Sequence, residues 1–302
     1  MPFPLHALDY GSRCRLRELV TPREAYDLQI AAPHFDGLKP IQTILRRYSG
    51  FTSVRINDDN EFYADFMTKD MNNDKLYLVK NHLRIAHFTS NHSAQLITDR
   101  FVLAPSQLMF IECDITAKFL QDLCSKTTTN ISKLDFMSGS FHDDVTLELV
   151  CTLFKELRDL NVFDNFFTRT WIDTFISHKF TNMTNISVYE ASIDLLKVEE
   201  KQLIEFMQAQ DSNFKVGITL KGNCGDSEVQ KILGDLFSKF FWDLKEFCSD
   251  GRQIAISWVS SKDKKNLNER YYVLRNYSDI ISPNFATPQE KAPILMNYAP
   301  HI

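Results

Sequence analysis

Apolar residues recur every 26 residues along the middle of this chain. The stretch "LMFIECDIT", from Leu108 to Thr116, is followed by "LDFMSGSF", "LNVFDNFF" and "ISVYEASI". When Leu108 is given position four of a repeat unit, positions four, six and eleven are apolar in all four copies. They are Leu108, Leu134, Leu160 and Ile186; Phe110, Phe136, Val162 and Val188; and Ile115, Phe141, Phe167 and Ile193. Because positions four and six alternate as side chains do along one face of a strand, each copy predicts a β-strand.

The segments between these predicted strands repeat at the same interval and with helical spacing. Three sets of apolar residues recur, and the second and third sets lie four and five positions after the first within each unit: Phe119, Val145 and Trp171; Leu123, Leu149 and Phe175; and Cys124, Val150 and Ile176. Asp143 and Thr170 are the expected N-caps of two of these helices. One strand-helix unit cannot bury its own apolar face, so the units are expected to stack as a solenoid. Weaker copies follow at "FKVGITLKGNC" and "RQIAISWV", with Leu220 and Ile256 aligned on Val188.

Two outward positions of the predicted strands suggest a binding surface. Position seven is apolar in every copy (Ile111, Met137, Phe163 and Tyr189), and position eight is mainly acidic (Glu112, Ser138, Asp164 and Glu190). An exposed apolar row beside an acidic row fits a protein segment that is both apolar and basic. Two alternatives stay open: the Pro-containing tail after Asp279 lies across these side chains, or the register is misassigned.

Position nine is occupied by Cys113, Gly139, Asn165 and Ala191, where leucine-rich repeats have Asn or Cys. Residues 100 to 210 therefore resemble the leucine-rich repeat family. This resemblance implies an α/β fold, an irregular solenoid with a parallel sheet on its concave face. Cys113 is expected to be a packing residue and not a nucleophile.

The front of the chain predicts two short helices. In Thr21-Pro22-Arg23-Glu24, Thr is a favourable N-cap, Pro suits the first helical turn, and Glu can bond back to the cap amide. Apolar residues precede this turn and follow it at helical spacing.

This helical pair resembles an F-box, the motif that docks on the Skp adaptor of cullin-RING ubiquitin ligases. The positions that match the F-box pattern are Leu8, Leu16, Val20, Pro22, Glu24, Leu28, Ala31 and Phe35. Asp9 stands where the family has Pro, Gly11 and Ser12 interrupt the first helix, and Ala25 replaces a larger apolar residue. The resemblance implies adaptor binding through Leu8, Leu16, Val20, Pro22, Leu28, Ala31 and Phe35. The alternative is a helical hairpin that only caps the end of the repeat core.

Residues 49–90 alternate as strands, with turn residues at Asp58-Asp59-Asn60 and Asn72-Asn73-Asp74, and predict a small antiparallel β-unit. The expected organisation is an F-box-like motif at 1–45, the β-unit at 46–95, the solenoid at 96–277 and a tail at 278–302.

Composition narrows the function. With 34 basic and 39 acidic residues, no nucleic-acid footprint is predicted. No stretch reaches the roughly 18 apolar residues of a membrane span, and no secretory signal is recognised, so a cytoplasmic or nuclear protein without membrane contact is expected. The six cysteines contain no Cys-x-x-Cys pair, the histidines form no ligand pair, and catalytic motifs are lacking. No enzymatic activity, metal or cofactor is therefore expected.

These patterns favour a substrate-recognition subunit of a Skp-cullin-F-box ubiquitin ligase, with an unidentified protein substrate held by the repeats. The rival interpretation is a leucine-rich-repeat scaffold or inhibitor with no ligase attached.

Overall fold

A computed structural model describes residues 5–39, 41–46, 50–64, 75–163, 166–237, 239–246, 250–260 and 267–275. The chain forms two compact units, Met1–Phe166 and Phe167–Ile302. Two helices come first, and twelve strands, most of them parallel and alternating with helices, follow in the described residues. The predicted α/β class is therefore confirmed.

The first unit contains five helices and seven strands in its described part. The helices are α1 Tyr10–Leu19, α2 Pro22–Ala31, α3 Gln95–Thr98, α4 Ala117–Ser125 and α5 Leu147–Leu153. The strands are β1 Ile44–Arg46, β2 Phe51–Ile56, β3 Phe62–Ala64, β4 Leu76–Ala86, β5 Phe101–Ile115, β6 Lys133–Phe141 and β7 Asp159–Phe163. Their order is β7-β6-β5-β4-β2-β3, with β1 also beside β4.

The second unit contains three helices and five strands in its described part. They are α6 Trp171–Ser177, β8 Asn185–Ala191, α7 Glu200–Ala209, β9 Lys215–Cys224, α8 Asp226–Phe237, β10 Phe241–Leu244, β11 Gln253–Ser260 and β12 Leu267–Leu274. The strand order is β8-β9-β11-β12-β10, in which β12 is antiparallel to both its neighbours.

The predicted repeat period is confirmed in the first unit. Leu108 lies opposite Leu134, and Leu134 lies opposite Leu160, in parallel pairs. All residues at positions four and six are buried, and the rings of Phe110 and Phe136 stack with centroids 4.8 Å apart. At position eleven only Ile115 is fully buried; the other three residues there are half-buried. The apolar residues at alternating strand positions are thus the ones that the sheet places in the core.

The prediction of an antiparallel unit over residues 49–90 is wrong for most of its length. Strand β4 is one continuous strand that pairs in parallel with both β2 and β5. Among the described residues of this stretch, only β2 and β3 pair antiparallel, through the predicted turn at Asp58-Asp59-Asn60. The second predicted turn lies outside the described residues. Within β4, Asn81 has φ 62° and marks a register shift. The extra residue is Ser106 on β5, between the partners of Asn81 and His82. Because Asn tolerates positive φ, β4 continues through this point and does not end.

The weaker copies are present with a different register. Val188 lies opposite Ile218, and Ile218 lies opposite Ile256, so Ile218 holds the place that was predicted for Leu220. Leu220 pairs with Ala191 instead. The alignment of Leu220 on Val188 was wrong because Ile218 and Leu220 are two residues apart and both buried, so alternation alone could not distinguish them. Beyond Val188, β8 has one extra residue before Ala191, as at a bulge.

The helices form where their apolar period predicts, but one predicted cap is wrong. Helix α5 begins after Thr146, whose hydroxyl accepts a hydrogen bond from the Leu149 amide at 3.2 Å. Asp143 cannot be its cap because residues 142–145 form a turn closed by the Val145 amide on the His142 carbonyl. Thr170 holds the N-cap position of α6 without a side-chain bond to the helix.

The predicted helical pair at the front of the chain is confirmed. The Thr21 hydroxyl accepts from the Glu24 amide at 3.3 Å, and the Glu24 carboxylate accepts from the Thr21 amide at 2.9 Å. Pro22 is the first residue of α2. Asp9 caps α1 by accepting from the Ser12 amide at 2.7 Å, so Gly11 and Ser12 lie inside α1 without breaking it.

Candidate protein-binding surface

Position eight carries an unusual backbone conformation. In the first unit Glu112 and Ser138 have φ values of 50° and 56°, and His87, which follows β4 at the equivalent place, has 60°. In the second unit Glu190 has φ 55°. Residues other than Gly seldom adopt positive φ, because Cβ then crowds the backbone. Each strand therefore turns at position eight, and all four side chains are exposed. Asp164 lies outside the described residues.

Position seven forms the predicted apolar row in the first unit. Ile111 lies directly opposite Met137 on β5 and β6. Met137 is 42% exposed, whereas Ile111 is half-buried. Phe163, at the end of β7, is half-buried, and Tyr189 on β8 of the second unit is 39% exposed. The structure thus places Ile111 and Met137 side by side with position eight next along each strand.

Position nine explains why the strands approach closely. The Cys113 thiol is buried and lies 3.4 Å from the Ile85 carbonyl oxygen on β4, to which it donates. Gly139, at φ 116°, lies so close to Cys113 that a Cβ would come 2.3 Å from the Cys113 carbonyl oxygen. Burial raises the pKa of the Cys113 thiol to about 11, so it is protonated at neutral pH, as suits a packing residue.

We expect stability to fall above about pH 9, because burial also raises the pKa of Cys124 and Cys151 to about 12. An unfolded thiol titrates near its ordinary pKa of about 9. Below that pH the thiols are protonated in both the folded and the unfolded chain, and their contribution to folding stability is fully present. Between about pH 9 and the folded values the unfolded chain releases protons that the folded chain keeps, so unfolding becomes more favourable. Urea unfolding at pH 8 and pH 10 measures the loss.

The control for this pH dependence is a variant in which Cys113, Cys124 and Cys151 are all Ala. It should lose less stability than the parent between these two pH values. An equal loss in parent and variant would contradict the assignment to thiols.

A polar cluster on the same outward face was not recognised in the sequence. Asp135 is buried on β6, and its two carboxylate oxygens accept from the side-chain amides of Gln107 and Asn161, each at 2.5 Å. Lys133 lies 3.3 Å from Asp159 and 3.9 Å from Asp135. These residues occupy positions three and five of the repeat, so comparing those positions between copies could have identified the cluster in the sequence. Their hydrogen bonds satisfy a buried charge, which is a structural role.

The residues predicted to bind an adaptor are spread along α1 and α2 and the segments beside them, with different exposures. Ala31 is exposed, and the others are half-buried: Leu8, Leu16, Val20, Pro22, Leu28 and Phe35. Phe35 packs edge-on against His6, with ring centroids 4.7 Å apart. Ala25, which replaces a larger residue of the pattern, is fully buried.

Larger apolar side chains on the same helices were missed. Tyr10, Leu19 and Ile30 are 61%, 68% and 62% exposed. Ile30 falls outside the three-residue spacing of Ala25, Leu28 and Ala31, and an Ile away from that spacing is the signal that could have identified it. Exposed apolar side chains of this size are common contributors to protein interfaces.

Other kinds of site are lacking in the part of the chain that the structure describes. It contains no group of three or more His, Cys, Asp or Glu side chains arranged to hold a metal ion. No helix in the described ranges has the length and apolar character needed to cross a membrane. The five described cysteines are free thiols.

Comparisons with known proteins add no relatives: no protein-family model, no curated protein and no solved structure matches this chain. Function is therefore inferred from helices α1 and α2 and from the outward positions seven and eight of the repeat.

Proposed function

We propose that this chain is a substrate-recognition subunit of a Skp-cullin-F-box ubiquitin ligase. In this proposal α1 and α2 dock on a Skp-family adaptor, and the strand-helix repeats form an irregular leucine-rich-repeat-like solenoid that holds a target protein. The observation that carries the proposal is the exposed apolar surface of a two-helix motif joined to stacked repeats. Leu19 and Ile30, more than 60% exposed on α1 and α2, have the character of interface residues.

Two features of the repeats support the leucine-rich-repeat part of the proposal. The parallel pairing of Leu108, Leu134 and Leu160 gives one strand per repeat unit. The buried Cys113 thiol donates to a carbonyl of the neighbouring strand, which is the role that a polar residue at position nine serves when the chain leaves each strand.

The chain itself would catalyse nothing in this role. Holding a target next to a ubiquitin-charged enzyme elsewhere in the complex raises the effective concentration of target lysines near the reactive thioester. The contribution is therefore binding at two surfaces, one at the adaptor end and one on the repeats. A scaffold or inhibitor would need only the second surface.

The first test is a pull-down with recombinant Skp adaptor. We expect Pro22→Ala with Leu28→Asp to reduce adaptor recovery by about tenfold or more, since one central charged substitution commonly removes this much interface affinity. Because both residues are half-buried, the second variant is Leu19→Asp with Ile30→Asp. Those side chains are mostly exposed, so their replacement should spare the fold and still weaken adaptor binding.

The matched control is Gln121→Asp, an exposed position on α4. It introduces the same side chain away from α1 and α2 and should leave adaptor recovery unchanged. If the parent chain recovers no adaptor, the ligase proposal fails and the scaffold interpretation takes its place. If the parent binds and both α1–α2 variants bind equally well, the docking surface lies elsewhere.

A further inference from the structure

The loops at one edge of the first unit carry only acidic fixed charge. Strands β2, β4, β5 and β6 are parallel, so their carboxyl ends meet at one edge. The strand ends and loops at this edge, called loops below, are residues 57–61, 87–94, 112–116 and 138–146; residues 112–115 and 138–141 are the last residues of β5 and β6. They contain seven carboxylates: Asp58, Asp59, Glu61, Glu112, Asp114, Asp143 and Asp144. The same four loops contain no Lys or Arg. We call this set of loops the acidic edge.

Side-chain and backbone contacts join neighbouring loops of the acidic edge. His92 Nε2 lies 2.9 Å from the Asn60 side-chain oxygen. His87 Nδ1 lies 3.2 Å from a carboxylate oxygen of Glu112. The Ser140 hydroxyl donates to the Asp114 carboxylate at 3.1 Å. These contacts show that the carboxylates share one continuous surface and are not distributed around the unit.

The opposite edge of the same unit has the reverse balance. The described loops that lead into β5, β6 and β7 carry four basic residues, Arg100, Lys126, Lys155 and Arg158, against two acidic residues, Asp99 and Glu156. The unit is therefore electrostatically two-sided. Surface charge of one sign concentrated at one edge attracts and orients a partner of the other sign.

The acidic edge adjoins the apolar row of position seven. Ile111 immediately precedes Glu112, and Met137, 42% exposed, lies opposite Ile111. The carboxylates are spread over four loops and form no metal-holding group in the described residues. Spread charge beside an apolar row complements an extended segment that alternates basic and apolar side chains, more than it complements a point charge.

The chain's own tail does not have this complementary charge. Residues 276–302 contain one basic residue, Lys291, against Asp279 and Glu290. A segment with more acid than base gains nothing from an acidic edge. Charge complementarity therefore favours a separate protein over the tail as the occupant.

We propose that the target of this chain presents an extended basic and apolar segment, which binds across the ends of β2, β4, β5 and β6 with basic side chains on the acidic edge. This inference rests on the protein-binding part of the proposed function and adds the chemistry of the target. Adjacent strands are about 4.8 Å apart, so an extended segment of roughly eight residues is long enough to cross them.

The probe is a fluorescein-labelled peptide of about eight residues in which Leu and Arg alternate. Its binding to the full chain is measured by fluorescence anisotropy. The test variant is Asp58→Lys with Asp59→Lys and Asp143→Lys, and the matched control is Glu156→Lys with Asp173→Lys and Asp235→Lys. All six positions are exposed, and each variant raises the net charge by six (three reversals of two charges each).

We expect the edge variant to weaken peptide binding by about tenfold at 0.1 M salt and the control by less than about twofold, because at that salt concentration the attraction is screened beyond about 10 Å. A peptide with Glu in place of Arg should not bind, and Met137→Ser should weaken binding several-fold. Equal losses in both triple variants would assign the attraction to net charge and overturn the proposal, as would no binding to the parent chain.

Adaptor recovery by the same proteins separates this inference from the ligase proposal. Peptide binding without adaptor recovery would keep the acidic edge as a binding surface and remove the ligase role. Adaptor recovery together with equal peptide binding by all variants would keep the ligase proposal and remove the acidic edge as the binding surface.

Discussion

Gly139→Ala is expected to lower the free energy of unfolding by more than about 3 kcal/mol, the range typical of severe backbone conflicts. At φ 116° an L-residue is strained by roughly 1–2 kcal/mol. The added Cβ would also lie 2.3 Å from the carbonyl oxygen and 2.7 Å from the amide nitrogen of Cys113. Both contacts are with backbone, which cannot swing aside as a side chain can. Strands β5 and β6 would have to separate or shift.

The control for Gly139 is Gly222→Ala. Gly222 also has positive φ, 68°, but a Cβ there would meet no heavy atom within 4 Å. Its cost should therefore be the conformational part alone, about 1 kcal/mol. Urea unfolding of both variants gives the comparison, and equal losses would contradict the close approach of Gly139 to Cys113.

Phe175→Ala should be the second severe substitution, with an expected loss of about 3–5 kcal/mol for a buried Phe. Phe175 is fully buried on α6 in the second unit. Its ring stacks on Phe206 of α7 with centroids 5.7 Å apart and meets Phe180 at 5.5 Å. Truncation would leave a cavity between α6 and α7 that the surrounding rings are too rigid to fill.

The neighbouring residue provides the control. Ile176 is 44% exposed, so Ile176→Ala should cost less than about 1 kcal/mol. Thermal unfolding of the two variants should give well-separated midpoints. Similar midpoints would mean that the buried face of α6 is misplaced by one residue.

The repeat was predictable because burial imposes a local rule. A strand with one buried face needs apolar residues two apart, as at Leu108 and Phe110, and the next copy repeats the need at Leu134 and Phe136. The capping box at Thr21 and Glu24 was predictable for a similar reason, since all its atoms lie within one turn of helix. Local rules of this kind need no knowledge of neighbouring segments.

Other features were outside the reach of local rules. Asp143 precedes a helix in the sequence, but its loop folds into a turn, and Thr146 caps the helix. Strand β4 was predicted to belong to an antiparallel unit because alternation shows that a strand exists and does not show its partner. Its parallel pairing with β2 and β5 depends on residues far along the chain. Leu220 was misaligned because Ile218 and Leu220 both lie on the buried face, and alternation does not show which of them is opposite Val188.

The candidate binding surfaces also include a part that local sequence rules predict and a part that they do not. The apolar residues Ile111 and Met137 and the acidic Glu112 could be assigned from the repeat frame, because outward positions alternate with buried ones. The acidic edge could not, since Asp58 and Asp59 belong to a loop far from that of Asp143 in the sequence. Parallel pairing brings those loops together.

By itself, the sequence determined the α/β class, the strand-helix repeat unit, and the two helices at the front with the Thr21 cap of the second. Each depends on residues within a few positions of one another, where steric and hydrogen-bonding preferences act directly. The tertiary structure alone decided which strands are neighbours, where the bulges shift the register and which carboxylates share an edge. Those features depend on contacts between distant segments, whose partners are selected by packing of the whole sheet.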